Sequence, residues 1–347
     1  MIWLEALTGK QALLMGIIAE ELNKLGYDIL ITTRRYDYTV GILEMLGYKP
    51  IIIGGYGGRT LKGKLIASTK RQLELAKLIS ELEVKLHITF TSPDSSRVAF
   101  GLGIPILALS DSPHSYFVNR LSLPLADRLI APKCIPLDLF SKFIESHRIV
   151  QFNGFFELAW ILRKKPDEVV LEELGLERGN YIILRPEERY AAYYKGLSVE
   201  KPTVADELIE IIPSDYDIVV FPRYPEQRRF LKDKFGERII IPEKSLDTLS
   251  LIKFSALVIT GGSTLAQEAA LMGVRAVTYF PYEIITCREI ARLGFPLHHF
   301  KNFRALKDSL NKILALEHEV NVSKILSKLE DPVPIILKNV MELIRSP

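Results

Sequence analysis

The residues best suited to chemistry fall in one run, Gly261-Gly262-Ser263-Thr264, with Glu268 shortly after it. Before it, Ala256 to Thr260 is short, apolar and β-branched, the composition of a buried parallel strand. After it, Leu265, Ala269 and Met272 recur at helical spacing up to Gly273, and Thr264 with Gln267 has capping-box spacing. A glycine turn between strand and helix leaves N–H groups unpaired at the positive end of the helix dipole, which suits an anion such as phosphate. Ser263 and Thr264 add hydroxyl donors, and Glu268 can accept from the hydroxyls of an attached ribose. The competing reading is a capped βα turn in which Glu268 is a solvated first-turn acid.

Other strand ends carry polar groups too. Asp111-Ser112-Pro113-His114 follows the strand at 107–110, and Gly54-Gly55-Tyr56-Gly57-Gly58-Arg59 follows the strand at 50–53. Gly55 and Gly57 therefore lie in a loop, expected to be mobile, where open α/β sheets bind ligands. The loop lacks the G-x-G-x-x-G form. Gly9-Lys10-Gln11 has neither the first glycine nor the hydroxyl residue of a P-loop, so both nucleotide fingerprints are rejected.

The elements that must hold these groups alternate between the two periodicities. Ile2 to Leu7, Asp28 to Thr33 and Pro50 to Ile53 read as strands separated by helices, which implies a parallel sheet with right-handed crossovers. Leu86 to Leu109 overlays Ala256 to Tyr279 without a gap, with Gly103 on Gly273. This internal repeat predicts two Rossmann-like domains on one plan. The first copy has Pro93 and Asp94 in place of the hydroxyls, so the second half reads as the nucleotide domain and the first as the acceptor domain. Further strands are expected at 128–131, 181–184, 217–221, 238–241 and 275–280. Residues 1–150 then form the first domain, 151–166 an aromatic and basic linker, 167–331 the second domain, and 332–347 a final helix set off by Pro332 and Pro334.

At 347 residues the chain is long for one core, and 48% apolar with 25% charged residues is a globular composition. A net charge of +3 suits anionic small molecules and does not call for nucleic acid. Apolar runs are too short to span a bilayer, and Met1 leads into Ile2 to Leu7 without a basic n-region, so no signal peptide is expected. Cys134 and Cys287 lack metal-ligand spacing and read as buried thiols in a reducing cytosol. A cytoplasmic location, no metal and no cofactor are the corresponding expectations.

The stretches Arg97 to Pro105, Asn119 to Arg128, Phe221 to Arg228 and Gly261 to Ala269 make the chain resemble the GT-B superfamily, which includes nucleotide-sugar glycosyltransferases and UDP-N-acetylglucosamine 2-epimerases. Within it, the chain is most similar to an uncharacterised, mainly archaeal family of about this length. The resemblance implies an α/β architecture of two Rossmann-like domains facing a cleft, with the C-terminal helix crossing back to the first domain. It implies that Gly262, Ser263 and Thr264 hold a diphosphate, that Glu268 holds the ribose, and that Arg223 lies near the same phosphates. A guanidinium after Phe221-Pro222 can donate two hydrogen bonds to phosphate, and Arg185, before Pro186, occupies a similar strand end. Relatives often carry a histidine in the first loop, where this chain has Leu7-Thr8-Gly9-Lys10-Gln11, so Lys10 is the group offered there to a phosphate or an acidic acceptor.

Inverting glycosyl transfer needs a base at the acceptor and charge stabilisation on the departing diphosphate. His114 and Asp111 are the candidate bases, with Asp94 in reserve. The expected partners are a UDP-sugar donor and an acceptor whose identity stays open, as do the oligomeric state and a peripheral membrane contact. An epimerase would draw on His114, Asp111, Asp94 and Glu283, and a non-catalytic nucleotide-sugar sensor is the third reading.

Overall fold

In the computed structural model, residues 1–36, 38–58, 60–188, 201–316 and 319–345 are described. The chain divides into two compact units, one comprising Met1–Leu162 and Leu329–Pro347, the other Arg163–Lys328.

Unit 1 is built on seven parallel strands: β1 (Ile2–Ala6), β2 (Ile29–Arg35), β3 (Ile51–Gly55), β4 (Leu86–Thr89), β5 (Ile106–Leu109), β6 (Arg128–Pro132) and β7 (Ile149–Phe152). They lie in the order β3-β2-β1-β4-β5-β6-β7. Strand order reverses between β1 and β4, where ligands bind in open α/β sheets. Every residue of β1 is buried, as a central strand covered on both faces requires. Right-handed crossovers put the helices after β1 and β2 on one face and those after β3, β4 and β5 on the other.

Residues 151–166, expected to be a linker, belong largely to unit 1. Their aromatics are core residues: Phe152, Phe155, Phe156 and Trp160 are all buried. They give no clear period because they span the end of β7, a turn and the four-residue helix Leu158–Ile161. The last helix, Pro332–Arg345, also belongs to unit 1. Its two prolines stand in the first turn, where an N–H has no intrahelical partner to lose. It buries Ile336 and Val340, and Arg128 donates to Asn339 Oδ1 at 2.7 Å and to Glu342 Oε2 at 2.5 Å.

Unit 2 has five parallel strands, β8 (Tyr181–Arg185), β9 (Asp217–Val220), β10 (Leu257–Thr260), β11 (Ala276–Thr278) and β12 (Leu297–His299), in the order β12-β11-β10-β8-β9. The strand expected at 238–241 shrinks to one parallel bridge between Val219 and Ile240. Gly236–Arg238 takes a 3₁₀ turn before it, and Pro242 after it lacks the N–H a ladder needs. Cys287 is buried, whereas Cys134 is only half-buried.

The internal repeat has a physical counterpart. β4 sits beside β1 as β10 sits beside β8, at the order reversal of each sheet. The helices that follow, Pro93–Gly101 and Thr264–Leu271, both end in glycines with left-handed φ, 70° at Gly103 and 81° at Gly273. Each sheet thus carries a Rossmann-like reversal point, and the chemistry-bearing loops of both copies fall on it.

Candidate functional site

In unit 2 the glycine turn is held from three sides. Gly261 N donates to Arg185 O at 2.9 Å, so the ends of β8 and β10 stay joined past their ladder. A Cβ on Gly261 would lie 2.6 Å from Glu187 N, so only glycine fits between these two strand ends. Gly262 N donates to Thr260 Oγ1 at 3.1 Å, and Gly262 O accepts from Thr278 Oγ1 at 2.6 Å.

Arg223 reaches this turn from the end of β9. Its backbone N donates to Gln227 Oε1 at 3.0 Å and its Nε to Pro186 O at 2.9 Å. Pinned there, it places Nη2 against Gly262: a Cβ on that glycine would lie 2.8 Å from it. A guanidinium, a glycine backbone and the start of the helix Thr264–Leu271 therefore converge. Ser263 and Thr264 are half-buried at the helix start, Arg185 is half-buried, and Glu268 is 2% exposed one turn further in.

The expected capping box does not form. Ser263 occupies the N-cap position without a side-chain cap, and Gln267 Nε2 donates instead to Thr286 Oγ1 at 2.9 Å. Tertiary packing draws Gln267 inward, away from the helix start.

Glu187 escaped sequence reasoning. Its buried carboxylate accepts from Thr203 Oγ1 (2.8 Å), Val204 N (2.9 Å) and Tyr279 Oη (3.0 Å), and Gln227 Nε2 donates to its carbonyl at 2.9 Å. It fixes the floor on which Gly261 rests. Its place after Arg185-Pro186 at a strand end was the available signal.

In unit 1 three charged side chains meet. Lys10, the second residue of the helix Gly9–Lys24, donates to Asp111 after β5 and to Glu157 Oε1 at 2.7 Å. Side-chain exposures are 12% for Lys10, 10% for Asp111 and 1% for Glu157. Burial opposes the Lys10 charge, but the two carboxylates outweigh it and raise its pKa. Burial also works against the Asp111 charge; Lys10 and the Ser112 hydroxyl overcome it, and the Asp111 pKa falls below the ordinary carboxylate value. Glu157 shifts the other way, raised by its burial and by Asp111, with Lys10 opposing. The same ammonium thus faces two carboxylates shifted in opposite directions, Asp111 downward and Glu157 upward. Glu157 was hidden in the aromatic stretch mistaken for a linker.

His114 shares the loop with Asp111 but stands at the surface. Partial desolvation of the imidazole lowers its pKa, with the Asp111 charge acting the other way. Asn119 Nδ2 fixes that loop by donating to Ser112 O at 3.0 Å.

The remaining candidates do not join this cluster. Asp94 turns toward the helix Leu61–Ile79, accepting from Ser68 and lying 3.7 Å from Arg71 Nη1, which itself pairs with buried Glu5 at 2.7 Å. Gly57 packs on the same helix, where a Cβ would meet Lys64 Cα at 2.7 Å, and Gly55 closes β3. The loop expected to be mobile is therefore packed on a helix. Glu283, on the other unit, pairs with Arg288 and with Lys301 at 3.4 Å.

Comparison with known proteins agrees with the fold. "Uncharacterized protein MJ0665" of Methanocaldococcus jannaschii is 28% identical over 352 residues, covering 99% of this chain and 98% of its own. Among solved structures, the UDP-GlcNAc 2-epimerase of the same organism, in complex with UDP-GlcNAc and UDP, superposes with a TM-score of 0.73 at 17% identity over 98% of this chain and 99% of its own. The S. aureus MnaA–UDP structure gives 0.71 at 16% identity, covering 99% and 98%. The glycotransferase of kitacinnamycin gives 0.57 at 12% identity, again covering 99% and 98%. These likenesses identify two Rossmann-like domains of the GT-B type. Matching its family model over residues 2–345, the chain belongs to the family described as protein of unknown function (DUF354).

Proposed function

We propose that this protein is a metal-independent GT-B-type glycosyltransferase that takes its sugar from a nucleotide diphosphate, a UDP-sugar, and passes it to an acceptor hydroxyl. The observation that carries the reading is the Arg223 guanidinium set against Gly262 at the start of the helix Thr264–Leu271. Backbone N–H groups, the helix dipole and a fixed cation then act together on the charge that builds up on a departing diphosphate. Ser263 and Thr264 donate to the phosphates, Glu268 accepts from the ribose, and Arg185 supplies a second cation. The UDP in two of the solved structures supports uridine as the nucleoside of the donor.

For the acceptor's proton, the candidates separate by their partners. Asp94 and Asp111 are engaged with cations, whereas His114 is exposed, and its lowered pKa keeps the imidazole neutral and able to accept a proton. As the acceptor oxygen bonds to the sugar's anomeric carbon, the bond to the diphosphate breaks. His114 takes the hydroxyl proton and UDP leaves with the electron pair.

Epimerisation at C2 of a UDP-sugar is the second reading, favoured by the higher TM-scores to UDP-GlcNAc 2-epimerases. The two separate in one experiment. Acceptor-dependent release of UDP supports transfer, while interconversion of UDP-sugars in deuterated water with label at C2, and no acceptor present, replaces it. His114→Ala should lower kcat far more than it changes the Kd for UDP, and full activity in that variant would remove His114 from the reaction.

A further inference from the structure

On unit 1, the helices that follow β3, β4 and β5 pack side by side as Leu61–Ile79, Pro93–Gly101 and Tyr116–Ser122. The first has an ordinary inward stripe, Leu75 and Ile79, and a second apolar stripe facing outward, Leu61, Leu65 and Leu73, exposed by 71%, 67% and 56%. Its neighbours add Phe100 at 56%, Phe117 at 75% and Leu121 at 60%. Scattered exposed leucines are ordinary, but large apolar side chains concentrated on three adjoining helices of one face mark an interaction surface.

Charge decides between occupants. Lys62 and Lys70 on the first helix, Arg97 on the second and Arg120 on the third are exposed among these apolar residues. Of the acids on these helices, Asp94 is turned inward to Ser68 and Arg71, and Glu74 is paired with Lys77 at 3.0 Å. A second copy of the chain would set this cationic face against itself. An anionic bilayer presents phosphates to the lysines and arginines and an acyl boundary to the leucines and phenylalanines. Among the described residues no helix is long and apolar enough to cross a membrane, so any contact through this face is peripheral.

We propose that the Leu61–Ile79, Pro93–Gly101 and Tyr116–Ser122 face of unit 1 docks on an anionic membrane surface. The idea does not depend on which reaction the protein performs. If it holds, the acceptor hydroxyls within reach are those displayed at a bilayer surface.

The full chain should co-float with vesicles of equal parts phosphatidylcholine and phosphatidylglycerol, and not with phosphatidylcholine alone. Phe117→Ser with Leu121→Ser should weaken that partition by on the order of tenfold or more. Lys62→Glu with Arg120→Glu should do so too, as should added salt. All four positions are exposed, and an unchanged thermal melt confirms that each variant is folded. Met45→Ser, an exposed position on the opposite face, should change nothing. Failure to bind the anionic vesicles, or binding indifferent to the Phe117/Leu121 pair, overturns the proposal. So does light scattering that shows a dimer dissolved by those two substitutions, which assigns the face to a second copy. Nucleotide binding measured on the same preparations is expected to be unaffected, so a failure here is distinguishable from a failure of the donor-site reading.

Discussion

Replacing Lys10 by Met tests the unit 1 cluster most directly. The substitution keeps the side chain's length and removes the one ammonium between Asp111 and Glu157, whose side chains are 10% and 1% exposed. Two carboxylates would then face each other with little access to water, and breaking a buried pair in this way costs about 3–5 kcal/mol. The cost should depend on pH. Without Lys10, burial and mutual repulsion raise the folded-state pKa of the carboxylates above their unfolded values. The penalty is therefore largest at neutral pH and shrinks at mildly acidic pH, as one carboxylate takes up a proton. In the wild type the sign for Asp111 is opposite: its lowered pKa contributes stability above the unfolded carboxylate value and loses it as pH falls further.

The assay is urea unfolding followed by tryptophan fluorescence. The chain has two tryptophans, Trp3 and Trp160, both buried in unit 1, so the signal reports that unit even if unit 2 unfolds separately. Adding Glu157→Gln to Lys10→Met should recover part of the loss at neutral pH, because only one buried charge then lacks its partner. A loss below about 1 kcal/mol, or one that is equal at both pH values, would show that water already neutralises the cluster and that the pairing matters little.

Three further outcomes follow from the two sites. Arg223→Met should weaken UDP binding by about 1.5–3 kcal/mol, the worth of a hydrogen bond to a charged group, measured by titration calorimetry; unchanged affinity removes Arg223 from the diphosphate. Gly261→Ala should lower the melting temperature of unit 2, since its methyl would press into Glu187, while the tryptophan transition of unit 1 stays in place. A variant that melts like the wild type would mean the β8 and β10 ends separate easily. Asp94→Asn should destabilise unit 1 without altering turnover once a substrate pair is in hand, because Asp94 faces Ser68 and Arg71; a loss of kcat at unchanged stability would return it to the reaction.

Much of the fold was legible in the residues because it follows from local rules. A short β-branched run, two glycines, two hydroxyls and an apolar period of three to four residues must make a strand, a tight turn and a helix start, wherever the rest of the chain goes. The likeness of 86–109 to 256–279 carried this further, since two copies of one βαβ unit build two sheets on one plan. Helix Gly9–Lys24 and the ends of β5 and β10 were equally plain.

What tertiary structure alone decided was which side chains meet. Lys10 joins partners 101 and 147 residues away in sequence, Asp111 and Glu157, because parallel pairing sets the loops after β1, β5 and β7 at the same end of the sheet. That meeting turned Asp111 from a candidate base into an ion-pair partner and brought in Glu157, whose neighbours Phe155, Phe156 and Trp160 show no period because they fill a core around turns. In the same way Arg71 claimed Asp94 and Thr286 claimed Gln267. Periodicity records which face of an element is buried, but an ion pair between distant loops leaves no period in the chain, so the partners of these charged groups could be read only from the fold.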